Sequence, residues 1–284
     1  MVFKLYVDSR FRQETGGVSS DTQFAIELPS PMQVKGKAFV DTVLCPNVFY
    51  VIRAGVNDRI HVKERVSGSD VYRIATIVEG QYRTDTLKDA VLHALQTGRQ
   101  ITGNYTVRYL PVENRIVVGN LDQSDSFAIY PAGWLKLNAA TWNAAASNTQ
   151  QVVASDLRDS GSVTGFAGAH ILSAAAGVAN QEIFAADAVN LQPYSQLFLR
   201  SSLGEGFSSY GPDGSTDIIR RIVVGQTPLN GVIVDQHGLP YDSVPVGQRE
   251  ITSLAFKLTD SEGRTVDTHG HHISFSIIFI HDDE

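Results

Sequence analysis

Three of the eight histidines of this chain fall within four positions, in "DTHGHH" at 267–272. Imidazoles beside a carboxylate are the raw material of a metal site or a pH-sensitive contact. In extended chain His269 and His271 share a face and His272 points away. A catalytic zinc centre needs three protein ligands, so two histidines with no nearby glutamate fall short of one. Gly270 suits a bend between strands better than a rigid ligand cage. The stretch reads first as a connection, with a pH-sensitive interface and a metal site as the other two readings.

Other residues invite charge pairing rather than catalysis. Asp8, Arg10 and Arg12 in "VDSRFRQE" are suited either to pairing across a subunit boundary or to a solvated strand end. Arg220 and Arg221 interrupt "IIRRIVV", and a two-residue period sends one of them inward or into an interface. An arginine so placed needs a carboxylate partner. These five are the candidate interface residues. No G-x-S-x-G, P-loop, H-E-x-x-H or EF-hand pattern occurs. "SSLGEGFSS" is a turn without dinucleotide spacing. No catalytic, cofactor-binding or metal-ligating residue is therefore assigned, and no cofactor is expected. Cys45 is the only cysteine, which excludes an internal disulfide; its apolar setting predicts a buried thiol. Trp134 is expected in a core, with a ligand platform as the alternative.

The elements that carry these residues are mostly short strands: 3–9, 23–28, 37–44, 59–65, 70–78, 196–202, 216–224, 230–236, 250–260 and 272–280. The first three each mix β-branched and aromatic residues and end at Pro, Gly, Ser or Asp. In the last one Ile273, Phe275, Ile277 and Phe279 share a face; "TSLAFKL" at 252–258 is expected as its partner. One helix is predicted over 86–97, with Leu87, Ala90, Val91, Ala94 and Leu95 on one face, a cap within Thr84–Thr86 and Gly98 at its end. A hairpin over 105–118 follows. The fold class expected is all-β, a jelly-roll sandwich with an inserted small α+β module. The sandwich is assigned to 1–69 and 187–284 and the module to 70–138. Residues 139–186, rich in Ala, Ser and Asn, are assigned to a long loop or arm.

Composition narrows the function classes. Of the 284 residues 43% are hydrophobic and 19% charged, against about 25% charged in average usage. Few charges suit a subunit that buries surface in an assembly. A net charge of −7 disfavours direct nucleic-acid binding, which relies on neutralising phosphates. No apolar run reaches the ~20 residues of a membrane span, and the start reads as a strand rather than a secretion signal.

The order of elements resembles a known group. "KLYVDSRFR" followed by "FAIELPSPMQVKGKAFVDTVLCPNVFYVI" is similar to the opening of penton or minor capsid proteins. These belong to DNA viruses with double jelly-roll major capsids: Polinton-like viruses, virophages and their relatives. "IVEGQYRTDTLKDAVLHAL" resembles the group's Gly-x-Tyr-then-helix module, and "NLQPYSQLFLRSS" one of its strands. The closing "ITSLAFKLTDSEGRTVDTHGHHISFSIIFI" is the fullest match, through its Val-Asp-x-x-Gly step at 266–270 and final Ser-Phe strand. The resemblance covers most of the chain outside 139–186. It implies a structural, non-enzymatic virion protein forming homopentamers at icosahedral vertices. Its partners would be itself, the trimeric major capsid protein and other minor capsid proteins, and its location the capsid vertex. A carbohydrate- or receptor-binding sandwich is the alternative, and a cupin-like metal enzyme using the late histidines a third.

Overall fold

The structure, a computed structural model, describes residues 2–13, 20–121, 125–168, 171–174, 181–203, 209–212, 214–225, 227–228, 230–236 and 242–281. In chain order the strands begin β1 (Val2–Asp8), β2 (Gln23–Val34), β3 (Lys37–Pro46), β4 (Arg59–Val66) and β5 (Ser69–Thr76). Then follow β6 (Tyr105–Leu110), β7 (Arg115–Asn120), β8 (Ser126–Ile129), β9 (Leu172–Ala174) and β10 (Gln181–Phe184). The remaining strands are β11 (Gln196–Ser201), β12 (Ile218–Val223), β13 (Val232–Asp235), β14 (Val244–Pro245), β15 (Arg249–Thr259) and β16 (Ser274–Ile280). The helices are α1 (Thr84–Gln96), α2 (Ala132–Ala145) and α3 (Gly161–Thr164). Two compact units result, one of Met1–Phe49 with Tyr194–Glu284, the other of Tyr50–Pro193.

The first unit is a jelly roll. One sheet runs β1-β16-β3-β13, with the short β14 also on β3, and the other runs β12-β11-β15-β2. Every neighbour is antiparallel. Successive strands of the unit alternate between the sheets, apart from the β11–β12 and β13–β14 steps, so the chain wraps itself around its own core. Alternation builds that core: Phe275, Ile277 and Phe279 of β16 are buried, as are Leu254, Phe256 and Leu258 of β15. The Phe256 and Phe275 rings meet edge to face, 4.9 Å apart. Those two strands therefore face each other across the core. The expectation that they pair is corrected: a two-residue period reports which face is buried, not which strand is the neighbour. Pro29 and Pro31 lie in β2, an edge strand whose free side needs no ladder N–H, and the β2–β15 register shifts beside them, between Ile251 and Ser253.

The second unit is inserted between β3 and β11. It holds the sheets β10-β7-β6 and β5-β4-β8-β9. Leu87, Val91, Ala94 and Leu95 of α1 are buried, joining a core with Val107, Ile116 and Phe127. Ala90 is partly buried against that core, so the predicted face is the one that packs. The cap works in reverse of the expectation: Thr86 Oγ1 accepts a hydrogen bond from the Arg83 N–H, 2.9 Å away. Gly98 ends the helix with φ +70°. At the same end Arg73 donates to the Leu95 and Thr97 carbonyls and to Glu64. Glu64, wholly buried, also accepts from the Tyr105 hydroxyl at 2.7 Å and the Gln100 N–H at 2.7 Å. One carboxylate thus ties β4, β5, β6 and the segment after α1 together.

The unit boundaries fall at 49/50 and 193/194 rather than at 69/70 and 186/187. Residues 59–65, read as part of the sandwich, form β4 and pair with β5 and β8. Strand character alone says nothing of which sheet a strand joins. The segment 139–186 carries more order than a loop or arm. It contains the end of α2, α3, β9 paired with β8, and β10 paired with β7. Helix α2 buries only Leu135 and Trp142, and Asn138 breaks its regular dihedrals (φ −129°, ψ 24°). With so narrow a buried stripe no helical period stands out in its sequence.

Candidate assembly interface

Arg220 opposes the buried Leu199 in the β11–β12 register, so it shares the inward face of its sheet. As β12 is an edge strand, the guanidinium emerges between the two sheets. There it grips Asp235 of β13 with two hydrogen bonds, Nη2 to Oδ1 at 2.6 Å and Nε to Oδ2 at 3.0 Å. Nη1 donates to Asp242 Oδ2 at 3.1 Å. The hydrogen bonds it donates to Asp235 raise the arginine's pKa further, so its charge is permanent. The required carboxylate partner is thus supplied from within the chain. Arg221 points the opposite way, is exposed, and has no ion-pair partner among the described residues. The pair divides into an internal clasp and a surface cation.

The N-terminal candidates are likewise paired inside the chain. Asp8 accepts from the Arg10 N–H and binds its guanidinium, the shortest contact being 2.6 Å. The Arg10 hydrogen bonds hold the Asp8 carboxyl below its ordinary pKa. Arg12 meets Asp21 at 2.6 Å, and His272 Nδ1 lies 2.9 Å from the same Asp21 oxygen. One of the late histidines therefore helps fasten the start of the chain to the segment before the last strand. His271 Nδ1 lies 3.0 Å from the Thr268 carbonyl, and His269, at φ +50°, has Nδ1 3.5 Å from Asp267. The three imidazoles go to three different partners rather than to a common point.

Exposed apolar residues gather on the outer face of the β1-β16-β3-β13 sheet. Val2 and Tyr6 of β1, Leu44 of β3, and Val232 and Val234 of β13 alternate with the buried set and face outward. Tyr6 is 75% exposed and nearby Phe11 78%. Large apolar side chains collected on one face mark a contact surface more often than scattered ones do. Lys4 and Asp41 on the same face neutralise each other at 2.6 Å. Residue type and spacing do not single out this face; the outward alternation of Val2 with Tyr6 and of Val232 with Val234 is its trace in the sequence.

The tryptophans are placed by the second unit. Trp142 is fully buried, its Nε1 donating to the Gln150 carbonyl at 2.7 Å and its ring edge-on to Tyr72 and His61. It has no surface to offer a ligand. Trp134 packs partly buried against Tyr130 at 4.8 Å, as a core residue would. Among the described residues no group of three His, Cys, Asp or Glu side chains is placed to hold a metal ion. Among them, too, no helix is long and apolar enough to cross a membrane.

No family model and no curated protein matches the sequence. Among solved structures the chain is similar to a chain of the Sputnik virophage structure determined by cryo-EM, with 11% identity, a TM-score of 0.46, and 98% of this chain and 97% of that chain covered. It is similar also to the mavirus penton protein, with 10% identity, a TM-score of 0.49, and 98% of this chain and 99% of that chain covered.

Proposed function

We propose that this chain is a structural virion protein, a penton subunit that assembles as a homopentamer at the vertices of an icosahedral capsid beside the major capsid protein. The observation that carries the reading is the jelly roll with an apolar outer face, on which Val2, Tyr6, Leu44, Val232 and Val234 lie open. A sandwich with its core already complete gains nothing internally from such residues, whereas a neighbouring subunit buries them. The sequence resemblance of the opening, middle and closing segments supports the same role. Its chemistry is geometric: a heterologous contact repeated around an axis closes into a ring. The second unit would elaborate the vertex.

Native mass spectrometry of the purified chain tests this directly. A closed pentamer is the expected species, and co-expression with the major capsid protein should place it at fivefold positions in electron micrographs. A chain that stays monomeric at every concentration and salt tested would overturn the reading.

A further inference from the structure

The jelly roll has two lateral edges, and they differ in character. At one, β1 and β2 flank a cavity of about 670 Å³ lined by Tyr6, Phe11, Leu28, Pro29 and Leu44. Glu27 also lines it, exposed and without an ion-pair partner among the described residues. At the other, β12 and β13 flank a cavity of about 660 Å³ whose rim carries Arg221, Val223 and Val234. Each edge thus presents exposed apolar side chains and one charge unpaired among the described residues, of opposite sign on the two edges.

The geometry matches as well as the charge. Each sheet's path holds four antiparallel strands, so its two edge strands run in opposite directions. The β1/β2 edge of one copy beside the β12/β13 edge of the next therefore has antiparallel sense in both sheets. Glu27 and Arg221 both point outward from the same sheet, since Ile26 and Ile222 beside them are buried. Across that sheet Glu27 is level with Ser253, and Arg221, through Phe198, with Thr259. Those rows are roughly 20 Å apart along β15 at the usual strand rise. Bringing the two charges together thus sets the neighbour sideways and along the strands, with the strands inclined to the ring axis.

We infer that the partner of the β1/β2 edge is the β12/β13 edge of a second copy of this chain, with Glu27 of one protomer paired to Arg221 of the next. The inference rests on the pentameric reading above and names the contact that would close the ring. The like-charge reversals Glu27→Arg and Arg221→Glu should each raise the concentration at which the ring falls apart by about tenfold or more, and the double reversal should restore it. Both positions are exposed, and unchanged thermal melting of each variant checks that the fold is intact. As a second measurement, Glu27→Cys with Arg221→Cys should give an oxidised ladder of covalent oligomers ending at five. A wild-type pentamer indifferent to both single reversals, or a double variant that stays dissociated, would overturn this contact while leaving the pentamer standing. A wild-type chain that never forms a ring would remove the functional reading itself.

Discussion

Arg220 on β12 reaches across the open side of the sandwich to Asp235 on β13, 2.6 Å away, and so ties the edge strand of one sheet to the edge strand of the other. The Arg220 side chain is only 8% exposed and Asp235's 11%. Each charge is therefore tolerable because the other is present.

Replacing Arg220 with alanine strips the nearly buried Asp235 of this partner, and should cost the first unit about 3 kcal/mol. Arg220→Lys keeps the charge but loses the fork that serves Asp235 twice and Asp242 once, so it should recover only part. Cys45 offers a local readout. Burial alone pushes its thiol up to about 12, so it should resist thiol reagents until the sandwich opens. Faster Cys45 labelling in Arg220→Ala than in Arg220→Lys, and slowest in the parent chain, is the expected order; equal rates would refute the clasp.

Glu64 makes the corresponding prediction for the second unit. Glu64→Ala strands the Arg73 guanidinium inside and should cost about 3–5 kcal/mol. Tyr105→Phe removes one hydrogen bond from the same carboxylate and should cost about 1–2 kcal/mol. Both tryptophans, Trp134 and Trp142, lie in this unit, so urea unfolding followed by their fluorescence reports on it alone. A Tyr105→Phe loss as large as that of Glu64→Ala would contradict the ranking.

Two glycines with positive φ should respond very differently to alanine. At Gly165 (φ +84°) a Cβ would overlap the Asp187 carbonyl oxygen, a backbone atom with nowhere to go. At Gly98 (φ +70°) no described atom lies within 4 Å of the Cβ position. Gly98→Ala should cost about 1 kcal/mol for the left-handed backbone alone. Gly165→Ala adds a backbone clash and should cost about 3 kcal/mol or more. Paired urea midpoints decide it.

The Lys4–Asp41 pair anchors β1 to β3 and should give a defined pH dependence. The hydrogen bond from Lys4 holds the Asp41 carboxyl below its ordinary 3.8, so that stabilisation is present above 3.8 and is lost as pH falls through the lowered value. The same bond raises Lys4 above 10.5, so its share is present below 10.5 and is lost as pH rises through the raised value. Asp41→Asn should therefore lower the urea midpoint at pH 7, and the gap from the parent chain should close at both extremes. A gap independent of pH would mean the pair contributes nothing.

The longer strands and their inward faces are legible in the amino-acid sequence alone, because alternation is a local property written into consecutive residues; the short β8, β9, β10 and β14 are not. Ile273, Phe275, Ile277 and Phe279, and Leu87, Val91, Ala94 and Leu95 of α1, are buried as their spacing implies. Helix α2 is not legible, since two buried side chains in fourteen residues leave no period to read. What only the folded chain decides is who meets whom. The last strand lies opposite 253–258 rather than beside it, and β4 belongs to the inserted unit. Arg220 finds Asp235, while its neighbour Arg221 meets no carboxylate among the described residues. Those choices depend on contacts between residues far apart along the chain, which strand period and residue type leave open. The two faces of "IIRRIVV" follow from the pleat. That one arginine closes the sandwich and the other faces outward at its rim follows from the sheet edge on which the strand comes to lie.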